Sequence, residues 1–208
     1  MNGILALLAM LSLAGAAAVP KERRLCFCAG GGDEDMKIAS DALPAFDCRR
    51  ESDEAAGRFI RHRENGNIQR AKELGEAFAH QMKALESASG DPAVLAQKKV
   101  LFAFVVNKVI EESAPDSILA QAALSSFYQT VQEIAPGDYA TISDSAAFSL
   151  YILADRGRRN RNQDTPGEVF AELCGQRGRE EYCYIGQSLY NQYHLDCLDL
   201  CRQTEFFP

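Results

Sequence analysis

The sequence predicts an all-α protein: a single-domain antiparallel or orthogonal helical bundle carrying a hydrophobic N-terminal leader helix. Three observations carry the prediction. Apolar residues after residue 50 recur at three- and four-residue spacing, prolines and capping residues punctuate the periodic stretches, and no convincing strand pattern occurs past residue 30. With 208 residues and 47% hydrophobic content the chain has enough apolar mass for one substantial core. The expected organisation is a leader over 1–20, a linker containing Cys and Gly over 21–50, and the bundle over 51–208.

Each element is predicted by its own signals. "SDEAAGRFIRHRE" opens with a serine and acids, and Asn65-Gly66-Asn67 breaks it. "NIQRAKELGEAFAHQMKALESA" places Ile68, Ala71, Leu74, Phe78, Met82 and Leu85 on one stripe. Asp91-Pro92 is a cap followed by proline at the first helical position, and the helix it starts carries "VLFAFVV", apolar on every side and therefore central. Pro115 ends that helix and Asp116 caps "SILAQAALSSFYQTVQEIA". Pro136-Gly137 marks the next break, and Ser143-Asp144 divides the stretch "YATISDSAAFSLYILAD" into two shorter helices. "TPGE" at 165–168 is a capping box, Gly175 terminates the short helix behind it, and the last helix runs from about Arg179 to Arg202.

The leader "ILALLAMLSLAGAAAV" has no polar stripe and spans roughly 24 Å as a helix, short of a ~30 Å hydrocarbon core. Positive charge lies after it, at Lys21, Arg23 and Arg24, which favours a retained anchor with the body in the cytoplasm. A secretory signal cleaved near Ala14-Gly15-Ala16 or Ala16-Ala17-Ala18 is the runner-up, followed by a leader packed on the fold. Downstream, "RLCFCAGGG" reads as a short strand entering a glycine turn, and "DEDMKIASDAL" as a helix. It lacks GK[ST] and GxGxxG spacing, and Asp33, Glu34 and Asp35 would repel phosphate, so a nucleotide cradle is a poor match.

The seven cysteines are Cys26, Cys28, Cys48, Cys174, Cys183, Cys197 and Cys201. Their odd number and local spacings favour reduced thiols, which agrees with a cytoplasmic body. An exported protein whose first three cysteines bridge to the last four is the alternative.

Two constellations stand out. In "HLDCLDLC", His194, Cys197 and Cys201 lie within about 60° on one helix face, a donor set suited to zinc if Cys174 supplied a fourth ligand. The competing reading places Tyr182, Gly186, Leu189, Tyr190, Tyr193, Cys197 and Leu200 on a buried stripe where thiols act as small hydrophobes. In "DRGRRNRNQD", Arg156, Arg158, Arg159 and Arg161 share one loop and form a patch for an anionic partner or lipid headgroups, or else a solvated connection. His62 and His80 are expected to be exposed, and a buried Asn107 would need partners.

The net charge of −7 opposes nucleic-acid binding, and no set of residues has the spacing of a catalytic centre. The expected function is therefore non-enzymatic, with no cofactor: a membrane-tethered helical domain, anchored through residues 1–20, that works through contacts with a protein partner. A zinc- or thiol-based site on the last helix is the alternative from a different class.

Overall fold

The computed structural model describes residues 48–85, 91–143, 146–157 and 165–207. The leader, the turn after Cys28, Asp144 and three of the four loop arginines (Arg158, Arg159, Arg161) lie outside the described residues, as do Cys26 and Cys28.

Eight helices and no strand occur among the described residues: α1 (Cys48–Glu64), α2 (Asn67–Ala84), α3 (Pro92–Ser113), α4 (Ser117–Ile134), α5 (Pro136–Ser143), α6 (Ala146–Gly157), α7 (Pro166–Leu173) and α8 (Glu180–Gln203). From Glu51 to Pro208 the chain forms one compact unit. The fold is all-α, as the periodicity predicts. No helix among the described residues is long and apolar enough to cross a membrane.

The boundaries arise where local chemistry satisfies backbone groups that a helix end leaves unpaired. The Asp91 carboxylate accepts from the Ala93 amide, and Pro92 occupies a first-turn position that needs no N–H. Asp116 accepts from the Ile118 amide at 2.9 Å. Thr165 and Glu168 form a reciprocal capping box, each side chain accepting from the other's backbone amide. At the far end of α7, Gly175 at φ 70° lets the Gln176 amide donate to Ala171 and the Gly175 amide donate to Glu172. This is a Schellman closure, and its left-handed residue is the glycine expected there.

Helix α3 is the axis of the molecule. It packs against α2, α4, α5, α6, α7 and α8, while α2 lies along α4 and α7 along α8. Its run from Lys99 to Asn107 is buried throughout, because neighbours cover every side of it. Phe78, Phe127, Phe170 and Tyr151 are fully buried around this axis, each contributing about 1.5–3 kcal/mol of burial. Aromatic rings tie the centre together: Phe104 stacks on Tyr151 at 5.5 Å and meets Phe148 edge-on at 5.8 Å, and Phe102 meets Tyr193 edge-on at 5.2 Å.

Two charges enter this interior with partners. The Lys99 ammonium is almost completely buried and donates to both Asp138 oxygens at 2.8 Å, joining α3 to α5. Lys108 pairs with Asp155 of α6, and Tyr190 of α8 donates to the same carboxylate at 3.5 Å. Asn107, expected to need partners if buried, donates to Ala103 O at 2.8 Å and to Tyr128 Oη at 2.6 Å.

Candidate functional site

The thiols of α8 take different places. Cys197 has no exposed surface and belongs to a stripe with Gly186, Tyr190 and Tyr193. Burial raises its thiol far above the ordinary range. Burial also pushes the Cys201 and Cys174 thiols up to about 11, away from the thiolate form that a nucleophile needs. Cys183 is half-buried, as is His194, whose ring lies 6.2 Å from that of Tyr190.

The four residues His194, Cys197, Cys201 and Cys174 do not assemble into a metal centre. Among the described residues no three His, Cys, Asp or Glu side chains are placed to hold an ion. The reason is distance along the axis. Cys174 caps α7 and senses Asp91 and Lys98, at the start of α3. Cys201 lines a cleft with Ile110 and Ser113 at the other end of α3. Lys98 and Ile110 are twelve residues apart, roughly 18 Å along a helix. Cys174, Cys183, Cys197 and Cys201 are all unbridged.

Of the arginine patch, Arg156 is described. It is exposed in the last turn of α6, and its charge partly offsets the effect of burial, which raises the Glu111 carboxyl.

A polar constellation lies at the α1–α2 junction, against the start of α4 and the last described residues. Asp116 holds its cap bond to Ile118 while receiving Arg58 Nε at 3.3 Å and His62 Nε2 at 3.6 Å. The Ile118 amide first, and then His62 and Arg58, hold the Asp116 carboxyl below the usual carboxylate range, against the opposing effect of burial. On its other edge, His62 Nδ1 meets Asn67 Nδ2 at 3.3 Å. Asn67 is fully buried, and its amide clamps one residue of the tail: Nδ2 donates to Phe207 O at 2.6 Å, and Oδ1 accepts from the Phe207 amide at 2.9 Å. The Arg70 guanidinium lies 4.1 Å from the centre of the Phe207 ring.

This network corrects the expectation for His62, which is partly buried and paired rather than exposed; His80 is exposed as expected. Sequence reading missed the cluster because tertiary folding alone assembles it: Asn67 and Phe207 are 140 residues apart in the chain. "NGN" signalled a helix break, and the break was real, but nothing local announced that Asn67 would hold Phe207.

Beside the clamp, Leu74, Ile110, Leu119, Ala123, Cys201 and Phe206 line a cleft of about 140 Å³. A wider, open depression of about 410 Å³ is bordered by Glu168, Glu172, Glu180, Arg177 and Cys183, with Arg177 paired to Glu172 at 3.6 Å. Neither contains a nucleophile paired with a base.

No family model matches the chain, and no curated protein or solved structure matches it either.

Proposed function

We propose that this chain is a non-enzymatic interaction module, tethered to a membrane by its apolar N-terminal segment and working through contact with another protein. The observation that carries the reading is the state of α1. From Ser52 to Glu64 no residue of this helix is buried, and Phe59 and Ile60 are 46% and 54% exposed. Helices of this length draw most of their stability from tertiary packing of an apolar face rather than from propensity. Here α1 is held to the rest by polar contacts at one end, through Arg58 and His62 on Asp116. Its apolar pair, with Ala56 one turn earlier, is left about half exposed or more by the described residues. Large adjacent apolar side chains on an otherwise polar helix are what a partner's groove would receive.

The tether rests on the leader's composition and on the positive cluster behind it. The test is a Phe59→Glu/Ile60→Glu double variant of the full chain, expressed in its native cells and followed by size-resolved migration of the membrane extract. The wild type migrates with a partner, and the double variant loses that association by at least tenfold, a cost of about 1.4 kcal/mol. Unchanged migration of the double variant would remove α1 as the docking surface.

A further inference from the structure

Asn67 serves two masters with one amide. One Nδ2 hydrogen goes to the Phe207 carbonyl, and Oδ1 takes the Phe207 N–H, so the orientation of the amide is fixed by the main chain it clamps. The second Nδ2 hydrogen is directed at His62 Nδ1, which must then present a lone pair. The proton of neutral His62 therefore sits on Nε2, facing Asp116 Oδ2.

We propose that His62 is a proton switch that holds the tail when neutral and releases it when charged. Asp116 of α4 faces the Nε2 edge of His62 and Asn67 of α2 its Nδ1 edge, while Arg58, one turn earlier on the same helix, shares the Asp116 carboxylate and Arg70 of α2 lies over the clamped ring. On the tail side, the group in contact with the Asn67 amide is the uncharged Phe207 peptide.

Protonation adds a hydrogen at Nδ1, where Asn67 already offers one. Two donors then oppose each other at 3.3 Å. Turning the Asn67 amide around would satisfy the imidazolium. It would also set an NH₂ against the Phe207 N–H and an oxygen against the Phe207 carbonyl. Either arrangement costs the clamp, leaving the contact between Arg70 and the Phe207 ring and the seat of Phe206 in its cleft to hold the tail. The amide can serve neutral His62 and Phe207 together, but not charged His62 and Phe207. Release carries Phe206 away from the cleft lined by Leu74, Ile110 and Leu119, opening that apolar surface to solvent. The switch uses contacts within the chain alone and stands whether or not α1 is a docking face.

The test follows the tail in the full-length chain with 4-fluorophenylalanine at position 207. At pH 8 the fluorine resonance is that of a held ring. At pH 5 it moves to the position of a free tail, and the protection factor of the Phe207 amide falls at least tenfold. His62→Gln, whose side-chain oxygen accepts from Asn67 without titrating, keeps the tail held at both pH values. A wild-type ring still held at pH 5 overturns the switch, as does a His62→Gln chain with the wild-type pH dependence. Should His62→Gln fail to fold, the ring titration of His62 is followed by NMR in the wild type. The midpoint of tail release coincides with it, and release at a different midpoint overturns the proposal.

Discussion

Asp116 shows how much one side chain can be asked to do. It caps α4 through the Ile118 amide, receives Arg58, and faces the Nε2 edge of His62. Removing an N-cap of this kind costs about 1 kcal/mol, and the lost contacts of Arg58 and His62 add to it. Asp116→Ala is therefore expected to lower stability at pH 7 by about 1–2 kcal/mol. Because the folded state lowers this carboxyl's pKa, its contribution is fully present above the unfolded carboxylate pKa of about 3.9 and is lost as pH falls through the folded value. Chemical denaturation of wild type and variant between pH 6 and pH 2.5 checks this. The gap between them narrows steadily as pH falls below about 4. A gap independent of pH down to 2.5 would mean that the charge of Asp116 contributes nothing. At this scale sequence reading reached as far as local chemistry reaches. The cap was legible because its acceptor and donor are two residues apart, whereas Arg58, His62 and Phe207 come together only through tertiary folding. Cys197 was legible for a similar reason, since its neighbours at helical spacing are Tyr190, Tyr193 and Gly186.

Elements are governed by what lies between them, and α2 against α4 is the closest case. Gly75 was hidden in the expected stripe of Ala71, Leu74 and Phe78, because helical periodicity does not distinguish a contact that needs a side chain from one that needs its absence. A Cβ at Gly75 would lie 2.1 Å from Ala123 O and 2.8 Å from Phe127 N. Both obstacles are backbone, so neither can rotate aside. In an exposed helix, glycine to alanine gains about 1 kcal/mol. Here the sign reverses, and Gly75→Ala is expected to cost about 1–3 kcal/mol by forcing the two helices apart. Urea denaturation measures it as a lower midpoint with an unchanged slope, and a raised midpoint would show that α2 and α4 do not approach this closely. Helix boundaries marked by caps, by contrast, were readable almost to the residue, whereas α1 begins at Cys48, four residues before the expected Ser52. Asp91-Pro92, Asp116 and the Thr165–Glu168 box each encode a stop or start in a few adjacent positions. The weakest expectation at this scale was the zinc face of α8. Its three residues do share a helix face, but Cys197 is used in the core, and Cys174 and Cys201 sit toward opposite ends of α3.

The whole molecule divides its apolar surface unequally. The core closes around α3 with paired charges at its edges, while the described residues leave α1 a polar helix with two large side chains about half exposed. A fold class can be read from periodicity because burying stripes is a demand every helix makes of its neighbours. A partner leaves no such trace in one chain except as surface that folding does not cover. That surface is the basis of the functional account, and site-directed crosslinking tests it most directly. A photoreactive phenylalanine is placed at position 59 in the full chain in intact cells, with position 73, an exposed glutamate on α2, as the control. The account predicts one discrete adduct from position 59, absent from position 73 and lost when Ile60 is changed to Glu. Equal labelling from both positions, or none from position 59 while the protein is folded, would contradict it.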